Sequence, residues 1–315
     1  MIIDTHVAGY PRNPRNPKFE EIVNKDWSWQ IIQKIYGSPN AESKSSEPVI
    51  EDYIEAMDML GMEKLVIHSI GYLPETCRAL NDETSILCEK YSDYLMGFAT
   101  VPVAFPEESV SELERAVKTL GLKGLKIYPK FQRVTLDSEC MRPVYRKAEE
   151  LGIPILTHSD SVAGSYTGFG LREIDNTSCN PARLFRSAIL KSTPKLKIIL
   201  AHLGGGIMFD KDHLYAIARY RAHYREEPSL EPYYDHLFKQ QLYYDLAPVN
   251  WYSQETLEMA ISLVGADKFL FATDYPMLGG LAGVKECIAH LESLTLPESV
   301  KERIRCENAQ TLLKL

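Results

Sequence analysis

Eight short runs of apolar and β-branched residues recur along this chain, at 2–6, 64–68, 95–101, 124–128, 153–158, 197–202, 242–245 and 268–274. Between them, apolar residues spaced three and four apart mark helices. One stripe is Ile50, Ile54, Met57 and Leu60, a second is Val110, Leu113, Val117 and Leu120. Val144, Ala148 and Leu151 make a third, and Leu257, Ala260, Ile261 and Val264 a fourth. Gly61, Gly121, Gly152 and Gly265 close these stripes, where a helix end needs a residue at ease with positive φ. Strand, helix, glycine stop and strand again is a βαβ rhythm. Eight rounds of it close into a (β/α)₈ barrel of the TIM type, class α/β. A doubly wound open sheet usually has fewer strands and a glycine-rich first turn, which D-T-H-V-A-G-Y-P at 4–11 does not supply.

A barrel of this kind takes ~250 residues, so the 315 residues of this chain read as one domain, 1–315, carrying insertions. Residues 9–48, rich in Pro, Asn and charge, leave the carboxyl end of strand one. Residues 160–180, with the run D-S-V-A-G-S-Y-T-G-F-G, leave strand five on the same face. Long loops inside a compact domain are commonly functional, and both are expected to act as lids over that face.

Composition narrows the partners. A formal net charge of −8 argues against polyanions, whose binding rests on clustered Lys and Arg. Six cysteines, Cys77, Cys88, Cys140, Cys179, Cys287 and Cys306, are scattered without a C-x-x-C pair and read as reduced thiols. No apolar run approaches the ~20 residues of a membrane span. The first strand begins at once and carries Asp4, so no signal peptide is expected. The expectation is a cytoplasmic protein acting on a small molecule, with no nucleic-acid or membrane partner.

Four of the strands end in a metal-binding type of side chain: I-I-D-T-H at His6, P-I-L-T-H at His158, I-I-L-A-H at His202 and F-L-F-A-T-D at Asp274. Groups at the carboxyl ends of parallel barrel strands converge on one point. Imidazole nitrogen with carboxylate oxygen suits a borderline divalent cation, zinc first, with Mn²⁺ or another dication as alternatives. His68 also ends a strand and is a candidate to line the site. His213, His223, His236 and His290 lie in helical or loop contexts and are read as solvated or capping residues.

At these motifs the chain resembles the amidohydrolase superfamily, and within it the amidohydrolase-related branch that includes the aminocarboxymuconate-semialdehyde decarboxylases. The likeness lies in I-I-D-T-H at 2–6, G-L-K-G-L-K-I-Y-P at 121–129, L-T-H-S-D at 156–160, I-I-L-A-H-L-G-G-G at 198–206, F-A-T-D-Y-P at 271–276 and E-N-A-Q-T-L-L at 307–313. The resemblance implies a distorted (β/α)₈ barrel with His6 and His158 as metal ligands. Asp274 is then a third ligand or the base for metal-bound water, and His202 polarises the substrate or shuttles a proton. Homodimers are common among such relatives, which leaves a homodimer open.

The chain departs from that pattern at Ala8, where the family's first strand carries the second histidine of H-x-H. Asp4 and His6 stand two apart, and strand alternation would put them on one face, so an Asp4-x-His6 pair could replace H-x-H as ligands. Lys126 ends strand four, where binuclear relatives carry a bridging carbamylated lysine; with one histidine missing, a one-metal site is expected. Lys126, Tyr128 and His68, with Arg12 from the first insertion, are candidate substrate contacts, joined by Arg15, Trp27 and Trp29.

The leading expectation is a mononuclear metal-dependent hydrolase of a small amide, lactone or ester, in which metal-activated water attacks the carbonyl while Asp274 and His202 move protons. A non-oxidative decarboxylase of a small carboxylic acid uses the same groups and is the alternative. A barrel that has lost its metal and only binds is the third reading.

Overall fold

The computed structural model describes residues 1–9, 14–30, 50–158, 181–276 and 279–315. Eight parallel strands form one sheet in sequence order: β1 (Ile2–Ala8), β2 (Met62–His68), β3 (Leu95–Thr100), β4 (Gly124–Ile127), β5 (Ile155–Thr157), β6 (Ile198–Leu200), β7 (Leu242–Asp245) and β8 (Phe269–Leu270). The first and last strands meet to complete the barrel. Thr5 N–H donates to Phe271 O at 3.1 Å, Ala8 N–H to Tyr275 O at 2.8 Å, and Val7 bridges Tyr275 in parallel. The (β/α)₈ expectation is borne out.

The helices follow the apolar stripes. α1 (Phe19–Val23) belongs to the first insertion, and α2 (Ile50–Leu60), α3 (Pro74–Lys90), α4 (Pro106–Lys118) and α5 (Met141–Leu151) wrap the first half of the barrel. α6 (Lys211–Tyr224), α7 (Gln254–Val264) and α8 (Leu281–Ser293) wrap the second, and α9 (Asn308–Leu313) ends the chain. Gly61, Gly121, Gly152 and Gly265 all have positive φ, between 66° and 96°. That is the conformation a stop after a helix demands and a Cβ resists.

Two apolar layers hold the wall. Outward residues such as Leu65, Ile67, Leu125, Ile155 and Phe269 pack under the helices with Met57, Leu113 and Val144. Inward residues Ile3, Val66, Phe98, Leu156, Ile199 and Leu270 fill the barrel interior, and Leu312 and Leu313 of α9 close it from below. Each such fully buried side chain contributes on the order of 2 kcal/mol relative to exposure. The apolar floor leaves only the carboxyl ends of the strands for polar groups.

One irregularity decides which side chains reach that end. Asp4 pairs with Leu65 and Val7 with Ile67, so β1 advances three residues where β2 advances two. An extra residue of this kind is a β-bulge, and it breaks the in–out alternation. Asp4 therefore shares the outward side with Leu65, while His6 falls on the inward side. Beyond the bulge, Ala8 pairs with His68, and both lie on the interior side.

Of the first insertion, residues 14–30 are described. Backbone N–H groups of Arg15 and Asn16 donate to the Glu83 carboxylate at 3.0 and 2.8 Å. Asp26 Oδ2 accepts from Tyr72 N–H and Leu73 N–H, both at 2.8 Å. Phe19, Val23 and Trp29 pack on Ile70, Leu80 and Phe131. This part of the insertion is thereby fastened to the face at which the strands end. Arg12 and residues 160–180 lie outside the described residues, as does Cys179; the other five cysteines form no disulfide. Among the described residues, no helix is long and apolar enough to cross a membrane.

Candidate metal and proton-transfer site

His6, His68, His158 and His202 gather at the carboxyl end of the barrel. The His6 ring centre lies 5.0 Å from that of His68, 5.6 Å from His158 and 5.5 Å from His202. Asp274 Oδ1 stands 3.7 Å from His6 Nε2. Side chains from strands one, two, five, six and eight thus meet, as the strand-end pattern predicts.

Asp245, at the end of β7, organises this cluster. Its Oδ2 accepts from His6 Nδ1 at 2.8 Å, and its Oδ1 from the His202 backbone N–H at 2.8 Å and the Ala247 N–H at 3.1 Å. A carboxylate only accepts, so His6 carries its proton on Nδ1 and turns the Nε2 lone pair to the centre. Burial pushes the Asp245 carboxyl up, but His6, His202 and Lys126 pull it down further, well below the ordinary carboxylate range. It is an anion held in place by what it orients.

His158 and His202 share a proton. His202 Nδ1 lies 2.6 Å from the Ala247 carbonyl, which can only accept, so this nitrogen bears hydrogen. The His202 Nε2 then faces His158 Nε2 at 2.7 Å. Contact this short between two ring nitrogens requires one hydrogen between them. It belongs to His158 when both rings are neutral and to His202 when that ring is charged. Burial first, then the charges of His202, Lys126 and His6, hold the His158 imidazolium well below its usual range. Burial and Lys126 likewise lower His6 and His68, so these rings favour the neutral form that ligates metals.

Two of the candidate residues sit on unusual backbone. His202 and Asp274 have φ of 54° and 59°, the left-handed region that side chains with a Cβ rarely adopt. Each such residue costs on the order of 1–3 kcal/mol and persists only where the surroundings enforce it. Here the Asp245 carboxylate holds the His202 N–H, and the His6 carbonyl accepts the Asp274 N–H at 3.1 Å. The left-handed run continues through Leu203, Gly204, Gly205 and Gly206. At Gly204 an added Cβ would come within 2.9 Å of the buried Tyr244 ring, so the A-H-L-G-G-G text is what lets the imidazole turn inward.

The remaining predicted residues divide. Lys126 is fully buried with Nζ 3.1 Å from His6 Nε2. Tyr128 stacks on His158 with ring centres 3.9 Å apart, and Phe131 and Trp27 continue that line of rings into the first insertion. Trp29 is buried beneath α1 and Arg15 is exposed. His236 and His290 bond to the backbone carbonyls of Pro194 and Tyr252, as the bland reading of them has it. Asp4 does not join the cluster. Its carboxylate accepts from the His6 and Thr273 N–H groups, from the Thr273 hydroxyl and from Tyr53 Oη at 2.9 Å. The bulge turned it outward, and a pair with His6 on one face does not form. Asp245 is a site residue outside the four predicted strand ends, although L-Y-Y-D ends in a carboxylate as F-L-F-A-T-D does.

Among the described residues, no three His, Cys, Asp or Glu groups stand as a finished metal site. His158 and His202 spend ring nitrogens on each other, and Lys126 meets His6. The imidazole and carboxylate donors nonetheless converge at the carboxyl end of the barrel.

Comparison with known proteins agrees with the motifs. The amidohydrolase family model matches residues 22–315. The chain is 29% identical over 264 residues to a gamma-resorcylate decarboxylase of Polaromonas sp. strain JS666, covering 76% of this chain and 77% of the relative. It is 24% identical over 251 residues to the 2-amino-3-carboxymuconate-6-semialdehyde decarboxylase of Dictyostelium discoideum, covering 75% and 66% respectively. Among solved structures, the 5-carboxyvanillate decarboxylase of Novosphingobium aromaticivorans, in complex with manganese and 4-hydroxy-3-methoxy-5-nitrobenzoic acid, superimposes with a TM-score of 0.81. That match has 20% identity and covers 100% of this chain and 96% of the other, which shows a shared barrel. The expectation of a hydrolase is overturned: these relatives are decarboxylases.

Proposed function

The chain belongs to the amidohydrolase family, and from that premise we propose that it is a non-oxidative decarboxylase of a small aromatic or unsaturated carboxylic acid, working with one divalent cation. The observation that carries this reading is the approach of His202 Nε2 to His158 Nε2 at 2.7 Å, with His202 Nδ1 anchored on the Ala247 carbonyl. Loss of CO₂ leaves an electron pair on carbon, and the reaction is complete only when a proton reaches it: R–COO⁻ + H⁺ gives R–H + CO₂. An imidazole anchored in this way at the centre of the site is suited to that delivery. The line of rings from Trp27 through Phe131 to Tyr128 supplies flat apolar surface for an unsaturated substrate.

The residues fit a cation in donor type. His6, His158 and Asp274 would hold it, with His6 fixed in the ligating tautomer by Asp245 and His158 giving up its contact with His202 for the ion. When bound, such an ion supplies Lewis acidity toward a substrate carboxylate or neighbouring phenolate oxygen. The choice of zinc over other dications finds no support in the comparisons. The 5-carboxyvanillate decarboxylase carries manganese, and Mn²⁺ is the ion to test first.

The protein's own groups then divide the work. His202, anchored through its Nδ1 and its backbone N–H, carries the proton toward the carbon that loses CO₂. Lys126, the one buried ammonium beside His6 among the described residues, offers positive charge to a substrate oxygen. Tyr128 keeps the His158 plane fixed.

The test is turnover of a panel of hydroxylated benzoates by Mn²⁺-loaded protein in ²H₂O, with parallel runs in ¹⁸O-labelled water. The proposal expects CO₂ and a product with one deuterium on the carbon that bore the carboxylate. Solvent oxygen in an organic product, or no CO₂ from any unsaturated carboxylate, contradicts it.

A further inference from the structure

We propose that His68, on β2, is a ligand of the divalent cation and takes the place of the first-strand histidine that this chain lacks at Ala8. The inference rests on the metal-dependent reading above and deepens it.

Three observations carry it. First, the barrel register sets Ala8 directly beside His68. Paired residues of parallel strands point to the same face, so the methyl of Ala8 leaves room on the interior side that the neighbouring imidazole can occupy. Second, His68 is 2% exposed, and among the described residues neither ring nitrogen has a hydrogen-bond partner. Burying a polar group without a partner is costly, and a natural structure that leaves both nitrogens of one imidazole bare calls for a missing partner. Third, the rings of His68 and His6 are 5.0 Å apart and tilted at 60°. Two imidazoles on one ion, each with a metal–nitrogen bond of about 2.1 Å, have ring centres roughly 5 Å apart. A structural histidine of the barrel wall would need a carbonyl or hydroxyl within reach, and among the described residues none is bonded to it.

The site would thus draw its ligands from strands one, two and five and from Asp274 beyond strand eight, with the lost imidazole moved one strand sideways.

The experiment is Mn²⁺ titration of metal-stripped protein, read by the free-ion EPR signal and by metal content per chain, for wild type, His68→Phe and the double variant His68→Ala with Ala8→His. Phe keeps the ring volume and removes the donors; the double variant returns an imidazole to the first strand. We expect one Mn²⁺ per wild-type chain, an affinity loss of at least about tenfold in His68→Phe, and recovery of most of that loss in the double variant. Should His68→Phe fail to fold by circular dichroism, His68→Gln replaces it. Wild-type affinity in a folded His68 variant overturns the ligand assignment while leaving the decarboxylase reading intact. Wild-type protein that takes up no Mn²⁺ or Zn²⁺ overturns both. A variant that keeps the metal but raises KM moves His68 to substrate contact and likewise overturns its role as ligand.

Discussion

Asp245 joins two strand ends through one carboxylate: Oδ2 receives the His6 ring at 2.8 Å, and Oδ1 receives the His202 backbone at 2.8 Å. The tautomer of one imidazole and the backbone turn of the other depend on the same group. Both need an acceptor oxygen, and only a carboxylate offers two.

Asp245→Asn tests this. The amide can present only one acceptor oxygen, so either the His6 Nδ1 proton or the His202 N–H loses its partner. Changes to groups that orient metal ligands typically cost 10–100-fold in metal affinity or activity. The expected result is a fall of about that size in both, measured by Mn²⁺ titration and kcat/KM, with near-native circular dichroism.

Asp4→Asn separates support from ligation. Asp4 is fully buried, with burial pushing its carboxyl up to about 7 against the hydrogen bonds from Thr273, His6 and Tyr53 that pull it down. Its donors tie β1 to Thr273 and to α2. An amide nitrogen turned toward those donors leaves at least one buried group unpaired, at about 1–3 kcal/mol. The variant should melt several degrees below wild type and still bind one Mn²⁺ per chain. Loss of the metal with unchanged melting would return Asp4 to the ligand set.

Gly204→Ala should damage the site from beneath. The new methyl meets the Tyr244 ring at 2.9 Å on a backbone with φ of 58°, a conformation that itself costs roughly 1–2 kcal/mol for a residue with a Cβ. Relief requires the His202 turn to move. Lower melting temperature together with lower kcat is the expected pair of readouts, followed by differential scanning fluorimetry and steady-state assays.

His202→Phe addresses the proton. A positioned acid contributes typically 10²–10⁴-fold to rate, so kcat should drop by about that amount while Mn²⁺ affinity stays within a few-fold of wild type. Deuterium incorporation into product, measured by mass spectrometry, should remain complete in whatever turnover is left.

Much of the fold was legible because parallel strands buried on both faces read as nearly continuous apolar runs, and because Gly61, Gly121, Gly152 and Gly265 fall where helices must stop. The shortest strand among the described residues, β8, spans only Phe269–Leu270, although the apolar text runs to Ala272. What the text could not convey is the bulge in β1. Period-two alternation assigns Asp4 and His6 to one side, and a single extra residue in the pairing reverses that. Asp245 went unnoticed for a different reason: its role is to hold His6 and the backbone of His202, a relation between strands one, six and seven that no local pattern encodes. Hydrolysis and decarboxylation were inseparable in the sequence, since both employ imidazoles and a carboxylate around a cation. The comparison with decarboxylases decided against the first.

The most direct test of the convergent site is anomalous diffraction at the manganese edge from crystals grown with Mn²⁺. The account predicts one peak about 2.0–2.3 Å from ring nitrogens of His6, His158 and His68 and from an Asp274 oxygen, with Asp4 still bonded to Tyr53 and Thr273. Absence of any peak among these side chains, or a peak coordinated by Asp4 in their stead, would contradict it.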